Sequence, residues 1–330
     1  MTLTEVAKAL GLSVSTVSRA LTGKGRIGED TRKRVTAFVR ECERKEQAGN
    51  QALMTGNLGV VLPADIYVSN EPYFQDCILG VCEAAAVMNY NVLIATATET
   101  DIAGVRALVE KKKVDGVILT RSMENDRAMQ YLEKQNLPIG LTGGCGDEKI
   151  IQVDTDNEAA SEALTTFLIG SGYRKFALIM DNMDYPVNKK RYKGFCRALE
   201  KHGLDRDKQI FYPNFPGTDV IDSMLNSIMV EKVECIVCGD DVICTRVMSN
   251  LQAGGYRIPR DIAVASLYNS ANLDCFTPPV TAVNVSAKRV GNIVCREMIH
   301  CLTGKEYQRR TRVDYEILVR RSTNAYHKEK

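Results

Sequence analysis

The segment Ser13-Val-Ser-Thr-Val-Ser-Arg-Ala-Leu21 carries the side chains of this sequence best suited to meeting a nucleic acid. At helical spacing Val14, Ser15, Thr16, Ser18 and Arg19 share one face, with Thr22 just beyond. A hydroxyl can serve a phosphate oxygen, and a guanidinium can give two parallel hydrogen bonds to a guanine edge. Val14 and Ser15 stand near the N-terminus of this helix, where base edges are met, and Arg19 lies one turn further on. Thr16, Ser18 and Thr22 are the candidate phosphate contacts. Such a face would gain little from packing against protein.

The elements that must hold this face are legible around it. Thr2 and Glu5 have capping-box spacing, so a first helix starts near Thr4. Val6, Ala7 and Leu10 fall on one side of it, and Ala7 is small enough for a second helix to cross nearby. Gly11 can take the φ > 0 turn between the two. Ser13 can cap the second helix, with Val17, Ala20 and Leu21 facing back. A third helix follows Gly28-Glu-Asp, its acids on the positive end of the dipole, its stripe Val35, Phe38 and Val39. The bland alternative is an ordinary helical hairpin. Charge favours the first reading: up to residue 55 there are ten basic and six acidic residues, +4, against +2 for the whole chain and hence −2 for the rest.

At 330 residues the chain leaves room for one or two further α/β domains. Short continuous apolar runs at 58–63, 92–96, 116–120, 176–180, 235–237 and 262–266 predict strands buried on both faces of a parallel sheet. Helical patterns alternate with them at 74–89, 102–112, 125–135, 158–171, 190–202, 220–230 and 242–253, giving βαβ units in series. The 11 cysteines are odd in number and scattered, which suits free thiols in a reducing cytoplasm. Cys235 and Cys238 form a CxxC, but on a strand they point to opposite faces and read as core. No apolar run could span a bilayer and no signal-peptide core opens the chain, so no membrane association is expected. No P-loop, dinucleotide fingerprint, metal-ligand spacing or catalytic triad is found. His202, His300 and His327 lie far apart, and the pairs Asp154/Asp156 and Asp240/Asp241 suit ligand contacts or helix caps as well as acid–base work. No cofactor and no enzymatic activity are expected.

Over essentially its full length the chain resembles the lactose/galactose repressor family of bacterial transcription factors. The resemblance rests on Val6-Ala-Lys-Ala-Leu-Gly-Leu-Ser-Val-Ser-Thr-Val-Ser-Arg-Ala-Leu21, Gly23-Lys-Gly-Arg and Glu29-Asp-Thr-Arg32 in the headpiece. In the core it rests on Thr155-Asp-Asn-Glu-Ala159, Arg191-Tyr-Lys-Gly-Phe195, Ile258-Pro-Arg-Asp-Ile-Ala-Val264 and Thr277-Pro-Pro-Val-Thr-Ala-Val283. It implies an α/β protein: a three-helix helix-turn-helix headpiece (1–47), a hinge or linker (48–57), and a two-lobed core of doubly wound parallel sheets like periplasmic binding proteins (58–330). The first lobe would take about 58–156 and 284–312, the second about 157–283 and 313–330. Two copies would bind a pseudo-palindromic operator in double-stranded DNA, and the hinge could fold on DNA with Leu53 wedged into the minor groove.

The resemblance also implies a small, sugar-like effector between the lobes. Tyr73 and Phe74 begin the helix after the first strand and could stack on it. Arg191 and Asp240 could hydrogen-bond it from the other side, and Thr142, Tyr268 and Asn269 sit at strand ends that should face the same space. Several family positions differ. Arg44-Lys-Glu-Gln47 replaces Tyr-x-Pro-Asn, Asn50-Gln-Ala-Leu53 replaces the hinge Ala-Arg-x-Leu, and Thr22 replaces an Asn after the recognition helix. Asp240-Asp241 stands for Asn-Asp, and Tyr268 takes the place of an Asp often found there. The expectation is a cytoplasmic, homodimeric, ligand-responsive transcriptional regulator, most simply a repressor. The rival is a sugar-binding protein without a DNA-regulatory role.

Overall fold

The computed structural model describes residues 2–23, 27–39, 54–64, 72–215 and 220–324. The chain divides into two compact units, one built on Met1–Thr55 and one on Gly56–Leu302 with Glu306–Lys330. In the first, α1 (Leu3–Leu10) opens with the full capping box: Thr2 accepts from the Glu5 N–H, and the Glu5 carboxylate takes the Thr2 N–H at 2.6 Å. Gly11 ends it at φ 66°, a conformation a Cβ would penalise, and so turns the chain toward α2 (Val14–Thr22), which Ser13 caps. Residues 29–39 form α3. Val6, Ala7, Val17, Ala20 and Val35 make the buried core of the three helices, with Leu10, Phe38 and Val39 packed around it. Leu21, expected to face inward, is 42% exposed: it sits on the last turn of α2, past the reach of so small a core.

In the second unit, β1 (Asn57–Pro63), β2 (Asn91–Ala97), β3 (Gly116–Leu119), β4 (Ile139–Thr142), β5 (Ile151–Thr155) and β11 (Arg310–Val313) form a six-stranded sheet ordered β11-β5-β4-β3-β1-β2. A second six-stranded sheet holds β6 (Phe176–Ile179), β7 (Ile210–Tyr212), β8 (Cys235–Cys238), β9 (Ala263–Ser266), β10 (Thr281–Asn284) and β12 (Glu316–Leu318), ordered β12-β10-β9-β8-β6-β7. The two orders are the same topology written twice. Every neighbouring pair is parallel except β10 with β12. Buried clusters cover both faces of each sheet, as continuous apolar strands require. Cys235 and Cys238 are fully buried in different clusters on opposite faces of β8 and are free thiols. Among the described residues no helix is long and apolar enough to cross a membrane.

The helices are α4 (Pro72–Val87), α5 (Ala103–Glu110), α6 (Arg127–Lys134), α7 (Asn157–Gly170), α8 (Pro186–Lys201), α9 (Ile221–Val230), α10 (Asp241–Ala253), α11 (Ala271–Asp274) and α12 (Ala287–Leu302). Two of them serve the sheet they do not follow. The helix after β5, α7, packs on α8 beside the second sheet, and the helix after β10, α12, packs on α4 beside the first. Both crossings are backbone-close. A Cβ built on Gly80 would lie 1.9 Å from the Lys288 carbonyl oxygen, on Gly291 2.0 Å from that of Cys77, and on Gly194 2.1 Å from that of Glu158. No side chain larger than hydrogen fits there.

Candidate functional site

On the headpiece, Val14, Ser15 and Arg19 are exposed on the outer face of α2, and Thr16 and Ser18 are half-buried beside them. Ser13 Oγ lies 2.9 Å from Ser15 Oγ and 2.8 Å from Thr16 Oγ1, so three hydroxyls cluster at the N-terminus of this helix, where the backbone N–H groups favour an anion. Thr22 Oγ1 donates to the Ser18 carbonyl at 2.8 Å, and it must rotate off its own helix to meet a phosphate. Leu53 and the rest of 48–53 lie outside the described residues, and Asn57, the last residue of the expected hinge, already opens β1.

The second site opens beyond the carboxyl ends of both sheets, the place where open α/β sheets leave room for ligands. It is a cavity of about 140 Å³. From the first lobe come Tyr73 and Phe74 at the start of α4, Thr120, Arg121 and Ser122 after β3, Thr142 at the end of β4, and Asp154 on β5. From the second come Asp181, Tyr185, Asn188 and Arg191 on the segment after β6, Asp240 and Asp241 after β8, and Tyr268 after β9. Six of the seven residues expected from sequence therefore line one space. Asn269 does not: its amide donates to Asn284 Oδ1 at 3.2 Å and its oxygen accepts from Arg320 Nη1 at 2.8 Å, bracing β10 and the C-terminal segment.

Contacts bridge the cleft from lobe to lobe. Arg121 Nη1 donates to the Tyr185 hydroxyl at 2.9 Å, its guanidinium 5.0 Å from that ring's centroid. Lys190 Nζ meets Asp154 Oδ2 at 2.7 Å, and Lys189 Nζ meets Glu124 at 2.6 Å. The Tyr73 ring stands edge-on to Phe74 at 5.3 Å and to Tyr268 at 5.6 Å, so an aromatic wall also spans the lobes. Burial pushes both phenols up, keeping them neutral donors. Thr142 Oγ1 donates to the Thr120 carbonyl at 2.8 Å, tying the ends of β3 and β4 together beneath the site.

Asp156 caps α7 through the Ala159 N–H and Asp240 caps α10 through the Ile243 N–H, while Asp154, Asp240 and Asp241 all line the cavity. Arg191 Nη1 donates to the Gly239 carbonyl at 2.9 Å and so holds the β8–α10 turn that presents both acids. Burial raises Asp240, against the opposing Ile243 N–H. Asp241 rises from 3.8 to about 6, chiefly by burial and further by Asp240, with the Ser270 hydroxyl pulling the other way. Sequence reading left Asp241 undecided and missed Arg121, Asp181, Tyr185 and Asn188. Arg121 and Asp181 lie two residues past the ends of buried strands, whereas Tyr185 stands at the N-terminus of α8 and Asn188 in its first turn.

The Asp241 shift has a thermodynamic consequence. An acid raised in the folded state binds more protons folded than unfolded between pH 3.8 and about 6, so stability is lost as pH climbs through that window. Above it the full penalty of the buried carboxylate persists. Asp241→Asn is expected to stabilise the ligand-free protein by about 2–3 kcal/mol at pH 7.5, and by almost nothing near pH 4. Urea unfolding at the two pH values checks this; an equal effect at both would trace the gain to packing.

Residues 2–43 match the family model of bacterial regulatory proteins of the lacI family, and residues 165–323 match that of the periplasmic binding protein-like domain. The HTH-type transcriptional regulator MalR of Staphylococcus xylosus is 26% identical over 315 residues, covering 92% of each chain. The HTH-type transcriptional repressor PurR of Glaesserella parasuis is 27% identical over 301 residues, 88% of this chain and 87% of its own. A solved transcriptional regulator CelR–cellobiose complex shares the fold with a TM-score of 0.73 at 24% identity, over 98% of this chain and 99% of that one. The chain thus joins a helix-turn-helix domain of the lacI family to a periplasmic-binding-protein-like core, and the relatives it matches over most of its length are HTH-type transcriptional regulators.

Proposed function

We propose that this protein is a sequence-specific transcriptional regulator, a repressor, that binds a pseudo-palindromic operator as a homodimer and answers to a small sugar-like effector held between its core lobes. The observation that carries the reading is the cleft: hydroxyls, carboxylates, guanidiniums and aromatic rings from both lobes converge on one cavity beyond the strand ends. Neutral polyols suit such a lining, since carboxylates accept O–H donors and ring faces stack on C–H surfaces. The cellobiose in the CelR complex supports a carbohydrate. Such a ligand binds inside the cytoplasm, where the operator is, and coupling between cleft and operator should be about 1–3 kcal/mol.

The DNA-binding half rests on the outer face of α2. Arg19→Ala is expected to weaken binding to a selected operator by about 1–3 kcal/mol and to relax base preference at one position of each half-site. Ser18→Ala should instead weaken all sequences alike, as a phosphate contact does. A randomised-site selection followed by anisotropy titration reads both. Wild-type affinity and selectivity in Arg19→Ala would move base reading off this helix. Sedimentation at the concentration of the titration tests the dimer, and a monomer there would exclude it.

A further inference from the structure

Each cation of the cleft has a protein partner. Arg191 already donates to the Gly239 carbonyl, Arg121 to the Tyr185 hydroxyl, and Lys190 is paired with Asp154. On the acid side Asp240 accepts the Ile243 N–H, but Asp241 is different. It is 2% exposed, lines the cavity, and its Oδ2 has no hydrogen-bond partner among the described residues. A carboxylate oxygen withdrawn from water without a donor is costly, and a cation relieves that cost better than a neutral hydroxyl does. Four carboxylates line the cavity (Asp154, Asp181, Asp240 and Asp241) against two guanidiniums, with Lys190 beside Asp154 and Arg246 near Asp240 outside that lining. Tyr73, Phe74 and Tyr268 supply rings whose faces attract cations as well.

Resting on the reading of this cleft as the effector site, we propose that the effector carries a protonated amino group on a polyhydroxylated frame, an amino sugar in chemical class, with an N–H donated to Asp241 Oδ2 and its charge beside the Tyr73–Tyr268 wall. The hydroxyls of such a molecule meet the remaining carboxylate and threonine acceptors. The same arrangement selects against phosphorylated and carboxylated sugars, because a second buried anion beside Asp241 would be repelled.

Calorimetry at pH 7 with the full chain tests this, using three 2-amino-2-deoxyhexoses (gluco, galacto and manno), each paired with its parent hexose and with the hexose 6-phosphate. The expected result is that at least one amino sugar binds about tenfold or more tightly than its parent hexose, with no binding of the phosphates. In Asp241→Asn the ratio of amino-sugar to parent-hexose affinity should collapse to within about twofold, whatever the change in the hexose's own affinity. A parent hexose binding as tightly as its amino form, a phosphate binding at all, or a preference kept in Asp241→Asn would overturn the amine inference and leave a sugar-responsive cleft standing. No binding by any of the nine, with operator affinity unmoved by them, would overturn both.

Discussion

Gly80→Ala is expected to destabilise the core unit by about 3–5 kcal/mol, above the usual cost of overpacking, because the added methyl meets backbone and not a side chain that can rotate away. Its Cβ would stand 1.9 Å from the Lys288 carbonyl oxygen, and the neighbouring Gly291 is as tightly opposed to Cys77. Relief requires α4 and α12 to separate by more than an ångström along their length, and that separation opens voids on both sides of the contact. For a unit of this size the melting temperature should fall by roughly 6–20 °C. Gly194→Ala tests the matching crossing of α7 and α8. Gly146→Ala is the control: nothing lies within 4 Å of its Cβ, and its melting temperature should stay within about 2 °C of wild type. If Gly80→Ala melted like Gly146→Ala, the helices would not cross as closely as described.

Arg191→Ala carries the second large effect, and on two observables at once. The guanidinium donates to the Gly239 carbonyl and lies near Asp240 and Asp241, lowering both. Its removal takes a cation from two adjacent buried carboxylates, leaving Arg246 near Asp240, at a cost of about 3–5 kcal/mol in stability. Affinity for the tightest-binding sugar of a hexose and aminohexose panel should fall by about 100-fold or more, since the turn that presents the acids loses its anchor. Arg191→Lys keeps a charge without the planar fork, and it should recover part of the stability and little of the affinity. Calorimetry and urea unfolding on the three proteins separate these effects. An unchanged affinity in Arg191→Ala would place the effector elsewhere.

The helix-turn-helix was legible almost atom by atom, because its signals are local. Thr2 with Glu5, Gly11 and Ser13 each act within one turn of the chain, and the structure shows each in its expected role. Continuous apolar runs made β1, β2, β3, β6, β8 and β9 legible, although β2 proves mostly exposed or half-buried. The strands β4, β5 and β10 are buried but only four or five residues long and broken by polar residues or glycine, and were not read. Short or half-exposed elements gave no such signal: β7, β11 and β12 are three or four residues long with partly exposed faces, and α12 carries Lys288, Arg289 and Arg296 among its apolar residues. The cleft was legible where a residue opens a helix or ends a strand, as with Tyr73, Thr142 and Asp240. Asp241 escaped because whether one or both of two adjacent acids reach the cavity depends on backbone angles that the sequence does not display. Asn269 was misplaced for a similar reason: its partners, Asn284 and Arg320, come from distant segments.

The exchange of α7 and α12 between the sheets has a consequence during synthesis. The first sheet cannot be finished when residue 156 leaves the ribosome, for its edge strand β11 ends at Val313 and the helix that covers α4 is α12, Ala287–Leu302. At about 5–20 residues per second, the nascent chain spends roughly 8–30 s with α4 bare. Throughout that interval Phe74, Cys77, Val81, Ala84 and Ala85, all buried in the finished protein, have no covering helix. A chain released early, by a stop codon between the end of α4 and α12, would carry an intact helix-turn-helix on a half-built core with an apolar flank open to chaperones and proteases. Truncated products of this kind are thereby marked for removal before they can compete for DNA.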